Sequence, residues 1–248
     1  HPPSKAPFMA SRFQIVIAGG GSPGHVYPGL SIAEALVESI PGVSILFAGT
    51  GRSSERHLVR AAGYNYVALP ARPAPQNPFE AVRFVTDNVI GFCAARWMLG
   101  EQETALVIGL GGFASAAVTR AAVGRGIPTV LLEQNAVPSR TTKWLAGMVE
   151  TVCTGFAETE SQLLGATHIV HTGTPARPNF LHRYRRSQQS ISLTSRTREK
   201  RLVVLGGAAG AQTLNHVMAE VVGQLGRELA AWRIVHQTGD GQLQLTES

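Results

Sequence analysis

Three times in this chain a short β-forming run ends in a cluster of glycines and passes directly into a helical pattern. The first is Phe13-Gln14-Ile15-Val16-Ile17-Ala18, followed by Gly19-Gly20-Gly21-Ser22-Pro23-Gly24-His25. The second is Ala105-Leu106-Val107-Ile108, followed by Gly109-Leu110-Gly111-Gly112. The third is Arg201-Leu202-Val203-Val204-Leu205, followed by Gly206-Gly207-Ala208-Ala209-Gly210-Ala211. A strand that hands over to a helix through glycine is the recurring turn of a parallel sheet with crossover helices. Further apolar runs at 43–48, 66–69, 129–132, 149–154 and 233–236 read as buried parallel strands. Between them, Leu30, Ala33, Leu36, Val37 and Ile40 share one helical face, with Pro28 placed to begin that helix. The expected fold class is α/β, a doubly wound parallel sheet.

Length and composition bound this further. At 248 residues the chain exceeds one domain of about 150 residues. Its 44% hydrophobic content is high and its 15% charged content low against an average of about 25%, which excludes bulk disorder. The apolar runs are broken by glycines and polar residues before they reach a membrane-spanning length. Cys93 and Cys153 match no metal spacing and build no disulfide scaffold, so a reducing compartment is the default. Residues 1–12 lack the apolar core of a signal peptide and read as a disordered lead-in.

The net charge of +6 admits nucleic acid, an anionic membrane face or a phosphorylated ligand as partner. Seven of the 22 Lys and Arg residues fall in 183–201, a Ser/Thr/Gln-rich stretch without apolar periodicity. It reads as a solvated linker, 177–200, since a nucleic-acid arm would interleave aromatics; no nucleic acid is expected. The organisation is then an N-terminal α/β domain at 13–176, the linker, and at 201–248 the opening of a second α/β domain, with two strands and one helix.

Gly19-x-Gly21-x-x-Gly24 satisfies the dinucleotide fingerprint, but the second strand ends Phe47-Ala48-Gly49-Thr50-Gly51 without the carboxylate that would hold a ribose. The same loop fits the first half of a triphosphate-binding loop, but His25 stands where lysine is required. What remains is common to all such loops: glycines let backbone approach an anion, and helix N-termini offer unpaired N–H groups. Two loops in one domain suggest a diphosphate between them, although glycines also simply permit tight turns. His25 follows the first loop at the sheet's carboxyl edge, as a general base near neutral pH or a ligand-contacting side chain. The buried run Leu131-Leu132 passes into Glu133-Gln134-Asn135, polar groups well placed to hydrogen-bond a sugar or peptide. His168 and His171 read as ordinary strand or loop residues.

Taken in order, Gly-Gly-Ser-Pro-Gly-His-Val-Tyr-Pro-Gly-Leu from Gly20, Gly-Leu-Gly-Gly-Phe from Gly109, Glu-Gln-Asn-Ala-Val-Pro from Glu133, Gly-Thr-Pro-Ala-Arg from Gly173 and Leu-Gly-Gly-Ala-Ala-Gly-Ala from Leu205 resemble the MurG family of bacterial transferases. The resemblance implies a GT-B architecture, with a complete N-terminal acceptor domain and a C-terminal donor domain only partly present. It implies inverting transfer of N-acetylglucosamine from UDP-N-acetylglucosamine to lipid I, forming lipid II for peptidoglycan. It gives His25 as the catalytic base or a group that positions the acceptor hydroxyl. Ser22, Pro23, Gly24, Asn135, Arg177 and Ala208 fall to the donor side, and Gly21, Gly111, Gly112, Phe113, Glu133 and Gln134 to the acceptor side. No metal or cofactor is implied.

The enzyme would sit peripherally on the cytoplasmic face of the bacterial inner membrane. The candidate anionic-membrane surface is 78–99, where Phe79, Phe84, Phe92 and Trp97 mix with Arg83 and Arg96; two ordinary core helices fit that stretch equally. Departures from the family pattern are Pro23, which removes an N–H donor, Leu132, Phe113, Thr174 and the Ala208-Ala209 pair. They bear on the donor more than on the acceptor, and with the short second domain they imply acceptor binding without competent transfer. The alternatives are a related GT-B enzyme with another lipid or natural-product acceptor, and a non-catalytic diphosphate-binding module.

Overall fold

The computed structural model describes residues 13–21, 23–75, 77–176, 200–207 and 210–239. The lead-in, the linker as far as residue 199, Ser22, Arg177, Ala208 and Ala209 lie outside the described residues. The chain divides into two compact units, His1–Tyr184 and Arg185–Ser248.

The first unit alternates strand and helix as expected: β1 (Gln14–Ala18), α1 (Pro23–Ser39), β2 (Ser44–Gly49), α2 (Ser53–Ala61), β3 (Asn65–Ala68), α3 (Pro78–Glu101), β4 (Thr104–Gly109), α4 (Phe113–Val123), β5 (Thr129–Glu133), α5 (Arg140–Leu145), β6 (Thr151–Thr154), a 3-10 turn (Ala157–Gln162) and β7 (Ile169–His171). All seven strands are parallel, in the order β3-β2-β1-β4-β5-β6-β7. The order reverses between β1 and β4, so their carboxyl ends flank the crevice where open α/β sheets bind ligands. Every residue of β1 is buried, as a central strand covered on both faces requires. One face packs Val16, Leu46, Val107, Val118 and Leu99; the other packs Ile15, Ile17, Phe47, Val59 and Ile108. A third cluster, with Leu131, Leu145 and Val152, closes the sheet's far side.

Four local readings change. Helix α1 begins at Pro23 and carries Pro28 inside it, because Pro23 already occupies the first position, where a missing N–H costs nothing. Val37 is 47% exposed, off the core face that Leu30, Ala33, Leu36 and Ile40 share. The edge strand β7 is a seventh strand beyond the six expected in this domain; its three residues are too few to carry a periodicity. The 78–99 stretch is one helix, not two. It starts at Pro78 behind Asn77, whose side chain accepts from the Glu80 N–H at 3.1 Å and donates to the Glu80 carboxylate at 3.0 Å.

In the second unit β8 (Lys200–Leu205) and β9 (Trp232–Gln237) pair in parallel, with α6 (Gln212–Gln224) between them in sequence. Both strands alternate exposed and half-buried residues, and no apolar side chain among the described residues of this unit is fully buried. Leu202 and Val204 are half-buried, while Val203, Leu205 and Val235 are exposed.

Candidate functional site

The sheet brings the first two glycine loops together at the switch point. Loop one follows β1, with Gly19 at φ +158°, Gly20 at +159° and Gly21 at +87°. Loop two follows β4, with Gly111 at φ +77° and Gly112 at +69°. A Cβ on Gly21 would stand 3.3 Å from the Phe113 ring, and one on Gly112 would stand 3.6 Å from Nε2 of His25. A Cβ on Gly19 would reach within 2.6 Å of Leu110. The loops therefore pack on one another through their missing side chains. Gly112 is also the N-cap of α4 and supplies no side-chain cap to its first turn, where the Ser115 N–H donates back to the Gly112 carbonyl at 3.4 Å.

His25 is the third residue of α1 and half-buried. Burial lowers its pKa below the ordinary 6.5, while the carboxylates of Glu133 and Glu55 pull the other way. The neutral imidazole is thus the form the site favours, as a general base requires.

Glu133 closes β5 and is 2% exposed. Its carboxylate accepts from the Asn135 backbone N–H at 3.0 Å, the Asn135 side-chain nitrogen at 2.8 Å and the Ser139 N–H at 3.0 Å. The charge shapes the loop that carries Asn135 and leads into α5, where the Ser139 side chain accepts from Thr142 N–H at 3.1 Å. Gln134 is half-buried, and its side-chain nitrogen meets no hydrogen-bond partner among the described residues. Asn135 is exposed. A Cβ on Gly111 would lie 2.9 Å from the Leu132 carbonyl, so loop two rests on the strand that delivers Glu133.

Of the residues singled out by sequence, Gly21, Gly24, His25, Gly111, Gly112, Phe113, Glu133, Gln134 and Asn135 lie in the loops and helix starts at the carboxyl ends of β1, β4 and β5. Beside Phe113 a groove of about 270 Å³ is lined by Phe84, Phe92, Phe113, Trp144, Arg72 and Arg120, among others. In the second unit, Gly210 of loop three, at φ +76°, packs so closely on the Thr238 carbonyl that a Cβ there would collide with it. Asn215, fully buried, donates to the same carbonyl at 3.0 Å.

Glu55 escaped the sequence reading. It stands alone on α2, more than thirty residues from the loop it meets, with only its place in an amphipathic pattern to mark it.

Residues 15–154 match the N-terminal domain of glycosyltransferase family 28. Over 233 residues the chain is 33% identical to the UDP-N-acetylglucosamine--N-acetylmuramyl-(pentapeptide) pyrophosphoryl-undecaprenol N-acetylglucosamine transferase of Geobacter metallireducens, covering 93% of this chain and 63% of that one. The transferase of the same name from Moorella thermoacetica is 34% identical over 220 residues, 86% of this chain and 57% of its own length. The crystal structure of Acinetobacter baumannii MurG superposes with a TM-score of 0.67 at 22% identity, covering 95% of this chain and 61% of that one. The chain thus spans about 60% of the length of the relatives it matches. The shared fold is of the GT-B type.

Proposed function

The chain belongs to glycosyltransferase family 28, and on that footing we propose that it serves transfer of N-acetylglucosamine from UDP-N-acetylglucosamine to lipid I, its first unit holding the acceptor. One observation carries this reading: the two glycine loops meet at the switch point with His25 beside Gly112, under the opposed influence of burial and two carboxylates. The amides at the start of α4 and the glycine-thinned walls suit the acceptor diphosphate. Gln134, following β5, is assigned to the acceptor's sugar and peptide, and Asn135 beside it to the donor side. In the reaction, the acceptor hydroxyl oxygen bonds to the anomeric carbon with inversion. The bond from that carbon to the diphosphate breaks, UDP leaves with the electron pair, and the hydroxyl proton passes to His25. Ser22, Pro23, Gly24 and Arg177 are assigned to the donor side, as is Ala208 of loop three.

The acceptor is anchored in a membrane, so the protein works from the cytoplasmic membrane face as a peripheral enzyme. No described helix is long and apolar enough to cross a membrane. Helix α3 supports surface attachment: Phe79, Val82, Val89, Ile90 and Trp97 form an exposed stripe opposite the buried Gly91, Ala95 and Leu99.

Calorimetric titration of the 248-residue chain with a short-chain lipid I analogue tests the acceptor reading. Saturable binding that is lost when the diphosphate is replaced by a neutral linker is the expected result. Equal affinity for both compounds removes the diphosphate cradle and with it the proposed acceptor site.

A further inference from the structure

Beneath the first glycine loop lies a carboxylate that the reaction described above does not use. Glu55, in the first turn of α2, is 1% exposed, and its two oxygens take four hydrogen bonds from three elements. Oε1 accepts from the Gly21 N–H and from the Thr50 hydroxyl at 2.7 Å. Oε2 accepts from the Thr50 N–H at 3.0 Å and the Tyr66 hydroxyl at 2.8 Å. The same helix start holds the other side of the Gly21 residue, since the Arg52 guanidinium donates to the Gly21 carbonyl.

The glycines around this carboxylate are spaced by it. A Cβ on Gly20 would stand 2.7 Å from the Glu55 carboxylate, and one on Gly49 would stand 2.7 Å from Oε2 and from the Tyr66 hydroxyl. The Gly21 amide is turned inward and is not a donor to the crevice. So part of the glycine pattern that reads as an anion cradle is room made for an internal anion.

We infer that Glu55 is the positioning residue of the first glycine loop: its carboxylate fixes Gly21 against the ends of β2 and β3 and thereby sets where His25 and the acceptor diphosphate stand. The effect on ligand rests on the acceptor reading above; the effect on the loop does not. The carboxylate is specific to the task. In Glu55→Gln one oxygen becomes an NH₂ group, and whichever way the amide turns it faces a backbone N–H, of Gly21 or of Thr50, that an amide nitrogen cannot accept. In Glu55→Ala both are released.

Amide exchange and imidazole titration by NMR, with acceptor-analogue titration alongside, test this on the 248-residue chain. In Glu55→Ala the Gly21 amide should exchange at least ~10-fold faster while the β4 and β5 amides keep their protection. The analogue should bind at least ~10-fold more weakly to both variants. His25, which faces Glu133 from β5 and Glu55 from α2, should titrate lower in both, because one of its two nearby negative charges is gone. That shift reports the lost charge, whereas a glutamate that served only to stabilise the fold would leave the analogue affinity unchanged in the isosteric Gln variant. Folded variants with unchanged Gly21 exchange overturn the inference, as does unchanged analogue affinity where the wild type binds the analogue. If wild-type chain binds no analogue, the acceptor reading fails while the Gly21 exchange measurement still decides the role of Glu55 in the loop.

Discussion

His25 holds a balance that one measurement can read. Burial favours the neutral imidazole, and Glu133 and Glu55 partly restore the charged form; burial wins, and the pKa lies below 6.5. The native state then binds fewer protons at this site than the unfolded chain. Its stabilising contribution is complete above pH 6.5 and is lost as the pH falls through the lower folded value. In His25→Gln the fall in chemical-denaturation stability below pH 6.5 should become shallower than in the wild type, and equal slopes would mean that His25 is not held neutral. In a form of the protein that turns over both substrates, His25→Ala should cost ~10²-fold or more in kcat. Unchanged turnover would take His25 out of the proton transfer. Gly112→Ala belongs beside it, because the new methyl would face the imidazole from a residue at φ +69°.

At the scale of elements, α3 is the one whose exposed face needs an explanation. Its 24 residues extend about 36 Å, with Gly91, Ala95, Met98 and Leu99 buried on one side. On the opposite side Phe79 is 94%, Val82 71% and Trp97 69% exposed. Phe84 and Phe92, grouped with them by composition, are half-buried and line the groove beside Phe113 instead. One face of this single helix thus packs inward as a core helix does, while the other presents exposed apolar side chains to solvent. Arg83 is exposed alongside the stripe, and Arg96 is also exposed, with its guanidinium to the Gly124 carbonyl at 3.4 Å. The chain should sediment with anionic vesicles more than with neutral ones, less so at high salt, and the double variant Val82→Glu, Trp97→Glu should lose that preference. Equal sedimentation of variant and wild type would place the attachment elsewhere.

The elements themselves were legible because strand and helix alternate with glycine punctuation, and a parallel sheet needs its strands apolar throughout. What the order of residues hid was the third dimension of the loops. Gly19, Gly20 and Gly21 look alike in sequence, yet one is spaced by Leu110, one by Glu55 and one by Phe113. A carboxylate from α2 leaves no local mark near the loop it holds. The inward turn of Glu133 toward Asn135 and Ser139 is equally a matter of the folded loop, invisible in the run Glu133-Gln134-Asn135.

On the scale of the whole molecule, the two units are unequal in what holds them together. The first buries three clusters of apolar side chains around seven strands. In the second, the buried described residues are Asn215 and Thr238, both polar, and Val203 at 51%, Leu205 at 68% and Val235 at 45% face outward from its described strands. Its described residues form two strands and one helix with no apolar centre among them, little to set against chain entropy, so this unit should open well before the first. The tryptophans report the two separately: Trp97 and Trp144 belong to the first unit and Trp232, stacked under Lys200 at 5.5 Å, to the second. With Trp97 and Trp144 replaced by phenylalanine, the remaining Trp232 signal should change at a lower urea concentration than far-ultraviolet circular dichroism, which the larger unit dominates. Ligands extend the test, because only what binds a folded unit stabilises it. A lipid I analogue should raise the main transition, while UDP-N-acetylglucosamine at the same concentration should move neither. Coincident transitions would show that the second unit is held as firmly as the first, and a donor-induced shift of the Trp232 signal would show that its two strands and helix already make a working donor site.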